Sequence, residues 1–276
     1  MMRALYTAAT GMIAEQTNLD TIAHNLANVN TDGYKTERTE FKSLLYQTIQ
    51  TRTTTANGEQ KPVGAQVGLG TRVAATMTMY TQGSLLASEN PTDFAIESPG
   101  SLGFFAIRGI DGETYYTRNG NFTWSQTADG RTMLTDAEGC PVLDTEGNTI
   151  MVPEGVSSGN MIFASDGSIS YEDVETDTIV DLNQSFGIYQ FNNPAGLNRV
   201  ASTRLQATAA SGNPMLEGAT PGLKVSKIHT KYLEGSNVQV ADEMVNMIIA
   251  QRAYELNSKA ITTSDSMLDT ANNLKR

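Results

Sequence analysis

The sequence predicts an α+β fold in which N- and C-terminal α-helices pair as a coiled coil around the ends of an inserted antiparallel all-β domain. Three observations predict it. Apolar residues recur every seven positions at both ends, turn dipeptides punctuate the middle at intervals of eight to ten residues, and the acidic excess lies wholly between the two heptad segments.

Near the N-terminus Leu5, Met12, Leu19 and Leu26 recur every seven residues, with Ala8, Ile22 and Val29 three positions further on. This is a heptad seam. At the other end Val240, Met247, Tyr254, Ile261 and Leu268 keep the same period, and Ala250, Ala253, Ala260, Met267, Ala271 and Leu274 widen the apolar face. Ser236 with Gln239 fits a capping box, Asp242 and Glu243 suit the positive end of the helix dipole, and Asp32-Gly33 suits the end of the first helix. A helix from Arg3 to Val29 would extend about 40 Å. Neither stripe can be buried alone, so the two ends are expected to pair. The alternative is that each lies on the central domain as a surface helix. Strict spacing favours pairing, and the surplus apolar width of the second helix implies further helices from other copies.

Between the ends the period changes from seven to two. Asp111-Gly112, Asn119-Gly120, Asp129-Gly130, Glu138-Gly139 and Glu146-Gly147 mark successive hairpin turns. "NFTWS" sends Phe122 and Trp124 to one face of a strand, and these, with Phe104 and Phe105, are expected in the core. Thr-, Gln- and Gly-rich connectors flank the domain. The expected organisation is an N-terminal helix (1–35), an extended connector (36–70), an outer β domain (71–214), a return connector (215–235) and a C-terminal helix (236–276).

Charge follows the same plan. Net charge is −11; residues 1–70 balance six acids with six bases, and residues 215–276 balance seven with seven. From 71 to 214 seventeen acids face six arginines and no lysine, which argues against nucleic acid as a partner. The single cysteine, Cys140, excludes an internal disulfide. The N-terminus lacks the apolar run of a secretory signal, and no stretch has the length and apolarity of a membrane span. Two histidines, His24 and His229, have no ligand spacing, and no nucleophile elbow or phosphate loop occurs, so no catalytic residue, metal site or cofactor is expected. Glu172, Asp173, Glu175 and Asp177 read as a solvated acidic loop rather than a cation site.

The segment "ALYTAATGMIAEQTNLDTIAHNLANVNTDGYKTERTEF", with its core "NLANVNTDGYK", resembles the rod signature of bacterial flagellar axial proteins, the rod and hook family. "LEGSNVQVADEMVNMIIAQRAYELNSKAITTSDSML" resembles the matching C-terminal segment, and "LGFFAIRGIDGETYYTRNGNF" is similar to the family's middle. Within the family the chain is most similar to the distal rod members, with a proximal rod paralogue next, and a hook subunit or a cell-envelope binding module as remoter alternatives. The resemblance implies a structural subunit of the flagellar basal body, exported without a cleavable signal and crossing the periplasm or cell wall. There it would polymerise helically into a hollow shaft that carries torque from motor to hook. It implies contact with copies of itself, proximal rod proteins and hook protein, with outer bushing rings as a further candidate. It implies no cofactor, no enzymatic activity and no direct membrane insertion. Leu5, Met12, Leu19, Ile22, Leu26, Val240, Met247, Tyr254, Ile261 and Leu268 are the expected assembly contacts, and Asn25, Asn28, Gly33 and Tyr34 are the family-motif residues. The terminal helices are expected to be disordered in the free subunit and to fold on assembly, at an entropic cost offset by partner surfaces.

Overall fold

A computed structural model describes residues 2–50, 64–100, 102–127, 129–153, 155–173, 178–201 and 203–274. The chain divides into two compact units. One comprises Met1–Ala27, Glu37–Thr78 and Gln239–Arg276, the other Asn28–Thr36 and Met79–Val238.

The first unit is built on helices α1 (Met2–Ala27) and α2 (Val240–Asn273). They run antiparallel. Gly11 of α1 lies against Asn257 of α2, while Asn25, fourteen residues further along α1, bonds to Glu243, fourteen residues back along α2. Between the helices in sequence come two antiparallel strand pairs: β1 (Glu37–Ser43) with β4 (Thr71–Thr78), and β2 (Tyr46–Gln50) with β3 (Ala65–Gly68). The expected extended connector over 36–70 is therefore a paired ribbon where it is described, because Thr, Val, Tyr and Ile here satisfy their backbone groups across the ladder. Residues 51–63 of that connector lie outside the described residues.

Three further expectations are corrected. Helix α1 stops at Ala27 rather than near Asp32-Gly33, because Asn28 turns the chain: its carbonyl accepts from Thr31 N at 3.2 Å and its side chain from the Thr31 hydroxyl at 3.1 Å. Helix α2 starts at Val240 with Gln239 as N-cap and no side-chain cap bond; Ser236 Oγ instead accepts from Val238 N, so no capping box forms. Finally, 71–78 belongs to the helical unit, whereas 28–36 and 215–238 belong to the β unit.

Among the described residues the β unit carries a six-stranded antiparallel sheet. In spatial order its strands are β15 (Asn198–Ala201), β16 (Arg204–Gln206), β8 (Thr114–Thr117), β7 (Phe104–Arg108), β14 (Ile188–Gln190) and β17 (Met215–Leu216). Around it stand the hairpin β9 (Thr123–Gln126) and β10 (Thr132–Thr135), and the meander β11 (Met161–Phe163), β12 (Ser168–Asp173) and β13 (Thr178–Ser185). Two further pairs close the unit: β5 (Leu85–Ala87) with β19 (Tyr232–Glu234), and β6 (Phe94–Glu97) with β18 (Lys227–Thr230).

Strand β7 shows why the sheet is central. Phe105 and Ile107 point into one apolar cluster with Phe94, Phe122, Leu134 and Phe186, while Phe104 and Ala106 point into a second with Tyr116, Phe191 and Leu205. A strand buried on both faces reads as a continuous apolar run, as "FFAI" does. Phe104, Phe105 and Phe122 are wholly buried as expected, and Trp124 is half-buried against the first cluster. The glycines of four expected turns, Gly112, Gly130, Gly139 and Gly147, all have positive φ. Gly120 does not: it is required because a Cβ there would lie 1.7 Å from the Phe94 carbonyl.

Candidate functional site

Two constructions stand out, one in each unit. In the helical unit the buried line of α1 is Ala8, Ala14, Thr21, Ile22 and Asn25, and that of α2 is Glu243 and Ala250. Small residues let the helices approach closely, and a Cβ at Gly11 would meet Asn257 Nδ2 at 2.8 Å. Of the residues expected at the assembly interface, Ile22 is buried; Leu5, Met12, Leu19, Leu26, Met247, Ile261 and Leu268 are half-buried. Val240 and Tyr254 are exposed. They are not alone, for Met244, Val245, Ile248, Ile249 and Leu256 are 53–68% exposed on the same helix. Helix α2 therefore carries more apolar surface than α1 and the ribbon cover.

Asn25 is the polar lock of this unit. Its Nδ2 donates to Glu37 O at 2.8 Å and its Oδ1 accepts from Glu37 N at 2.9 Å, so the side chain mimics a strand at the start of β1. It also bonds the Glu243 carboxyl, whose pKa burial raises, with that bond opposing and Asp242 adding to the rise. Nearby, Thr39 Oγ1 donates to Thr21 Oγ1 at 2.9 Å.

In the β unit Gly33 and Tyr34 are sealed inside, while Asn28 is half-buried. Gly33 takes φ +71°, donates its N–H to Glu234 O at 2.7 Å, and packs so closely that a Cβ would lie 2.6 Å from Asn119 N. Tyr34 is buried beneath the Arg199 guanidinium, 5.4 Å from the ring centroid. Next to it, Lys35 Nζ donates to Glu234 Oε1 at 2.6 Å and to Thr81 O at 2.8 Å. On the other side of the same carboxylate, Arg118 Nε donates to Glu234 Oε2 at 2.6 Å, Nη1 to Gly103 O at 2.6 Å, and Nη2 to Ile96 O at 2.9 Å. All three side chains are 1–3% exposed. Burial by itself raises the Glu234 pKa, but Arg118 and Lys35 outweigh it and hold the carboxyl below its ordinary value. Burial draws the Lys35 ammonium below its ordinary value; Glu234 opposes this and Arg118 adds to it.

Nothing in local sequence periodicity marks this triad. Lys35 and Glu234 are 199 residues apart and Arg118 and Glu234 are 116 apart, yet each stands in a segment that carries the family resemblance. Asn28 holds the turn that leads into it. Elsewhere, His229 Nε2 pairs with Glu97 at 2.7 Å and His24 is exposed on α1. Glu175 and Asp177 lie outside the described residues. Among the described residues no group of three or more His, Cys, Asp or Glu could hold a metal ion, and no helix is long and apolar enough to cross a membrane.

Comparisons with known proteins bear on both constructions. Residues 5–35 match the family described as "Flagella basal body rod protein", 229–274 match "Flagellar basal body rod FlgEFG protein C-terminal", and 99–171 match "Flagellar hook protein FlgE/F/G D1 domain". The flagellar basal-body rod protein FlgG of Borreliella burgdorferi is 43% identical over the full length of both chains. In Bacillus subtilis the FlgG protein is 37% identical and the flagellar hook-basal body complex protein FlhP 29%, each over 100% of both chains. The Helicobacter pylori hook protein FlgE2 matches 62% of this chain and 47% of its own at 18% identity, with a TM-score of 0.23. With signature residues at both ends placed by their contacts and identity sustained from end to end, the chain belongs to the FlgG family of flagellar basal-body rod proteins.

Proposed function

We propose that this chain is a structural subunit of the flagellar distal rod, polymerising helically into a hollow shaft that transmits torque from motor to hook. Its role is architectural rather than catalytic. One observation carries the reading: α2 exposes Met244, Val245, Ile248, Ile249 and Leu256 along a helix already paired on its other side. A face of that kind is covered in a working assembly. Head-to-tail repetition of one contact gives an open helix when the rotation does not close. Val240 and Tyr254 extend this face toward other copies, while Leu5, Met12, Leu19, Ile22, Leu26, Met247, Ile261 and Leu268 hold the helices of one subunit together and complete their burial in the wall.

The ribbon adds a second contact. Leu45, Tyr46 and Ile49 are 60–82% exposed on or beside β2 and favour bridging to a neighbouring subunit. Proximal rod proteins at one end and hook protein at the other are the heterologous partners of such a shaft. A subunit exported without a cleaved signal would cross the envelope with its helical unit unfolded. The five-part division proposed from the sequence then reduces to two working parts, an assembling helical unit and an outer β unit.

Hydrogen exchange before and after polymerisation tests this. Peptides from α1 and α2 are expected to exchange freely in the dilute subunit and to become protected together in the polymer. Full protection in a dilute monomer, with no polymer formed under any condition, would overturn the reading.

A further inference from the structure

We propose that Lys35, Glu234 and Asn237 form a clasp that stays closed while the helical unit is unfolded, and that the ribbon and helices fold outward from it during assembly. The proposal deepens the reading of an assembling helical unit and rests on it.

The chain passes between the two units after Ala27, Thr36, Thr78 and Val238. On the β-unit side these roots are stitched together. Gly33 N donates to Glu234 O at 2.7 Å, and Lys35 Nζ ties Glu234 Oε1 to Thr81 O. Asn237 joins the rest. Its Oδ1 accepts from Thr36 N and Thr36 Oγ1 at 2.7 Å each, and its Nδ2 donates to Met79 O and Thr81 Oγ1 at 2.8 Å each. Every one of these bonds begins and ends inside the β unit, so unfolding the helical unit removes none of them.

The two units differ in what holds them. Among the described residues the helical unit buries only Ala8, Ala14, Ile22 and Ala250 as apolar side chains, whereas the β unit packs two aromatic-rich clusters. Three alanines and an isoleucine offset little of the entropy of ordering two long helices and a ribbon. A unit so poor in buried apolar surface opens first. The closed clasp then directs its return. Met79 N donates to Thr36 O at 2.8 Å, one step beyond Glu37↔Thr78, the first pair of β1 and β4. The ends of that ribbon are therefore held in register before it forms, and the entropic cost of bringing them together falls on the β unit. Helix α2 starts at Val240, just past Asn237.

The test is amide hydrogen exchange on the full-length chain as a dilute subunit. The Gly33, Thr36 and Met79 amides should be protected to the level of the Phe94 amide in the β core, while α1 and α2 exchange freely. Asn237→Ala should speed exchange at Thr36 about tenfold, leave the β unit folded as Trp124 fluorescence reports, and slow polymer elongation several-fold. If the three amides of the parent exchange as fast as α1, the proposal fails and the assembly reading stands. If α1 and α2 are themselves protected in the dilute subunit, both fail together. Elongation at the parent's rate by a variant that has lost protection at Thr36 would also overturn the proposal.

Discussion

Replacing Glu234 by glutamine removes one charge and almost no volume, so its effect isolates what the buried triad contributes. The carboxylate is 1% exposed and accepts from Lys35, Arg118 and the Gly83 N–H. Glutamine keeps one acceptor oxygen but turns its amide hydrogens on a neighbour that is itself a donor, and two cations then lack a counter-charge. Breaking a buried pair from one side costs about 3–5 kcal/mol. At about 2–4 °C per kcal/mol for a unit of this size, Glu234→Gln should lower the melting temperature by roughly 6–20 °C. Trp124, the chain's single tryptophan, lies in β9, so its fluorescence through a urea titration follows the β unit. The acid limb supplies a second reading. Because Glu234 is held below its ordinary pKa of 4.5, its contribution is complete above that pH and is lost as pH falls through the lower folded value. The gap between parent and variant should therefore close in acid. Lys35 acts in the same direction at higher pH: its folded pKa lies below the ordinary 10.5, so the cost of its buried charge is relieved and stability rises as pH rises through that window. A triple variant, Lys35→Met with Arg118→Met and Glu234→Leu, removes the charges but leaves the Thr81, Gly103 and Ile96 carbonyls and the Gly83 N–H without these partners, so it should also lose stability. A loss under about 1 kcal/mol for Glu234→Gln, with an unchanged acid limb, would refute the assignment of the triad as a charge-balanced clamp.

Three other substitutions separate the roles of neighbouring residues. Gly33→Ala places a Cβ at φ +71° and 2.6 Å from a backbone nitrogen, so the urea midpoint read by Trp124 should fall by more than about 2 kcal/mol in stability. Asn25→Ala leaves the Glu37 N–H and carbonyl and the Glu243 carboxyl without their shared partner; about 2–4 kcal/mol should be lost from the assembled helical unit, seen as faster exchange of the Glu37 amide. Ile249→Asp, at 61% exposure, should abolish polymer and leave the β unit's unfolding curve unchanged, whereas polymer of normal length by sedimentation would remove α2's outer face from the interface.

The heptads, the turn glycines and the alternating "NFTWS" strand were legible because each is a local period, and burial follows local period wherever one face must be hidden. What escaped was non-local. The end of the first helix and the start of the second differ by several residues from their sequence signals, since Asn28 turns the chain and Ser236 Oγ accepts from Val238 N instead of capping the helix. The connector gave no strand alternation strong enough to announce β1 through β3, because most of its side chains stay exposed and only the ladder orders them.

From sequence alone came two helices without local partners, a hairpin-rich acidic middle and the membership of the termini in one family pattern, since composition and spacing carry these directly. Only the tertiary structure decided that Lys35, Arg118 and Glu234 share one buried site and that 28–36 fold with the β unit. Charges are read from a sequence as surface; three of them can be interior only when chain segments more than a hundred residues apart meet to solvate one another in place of water.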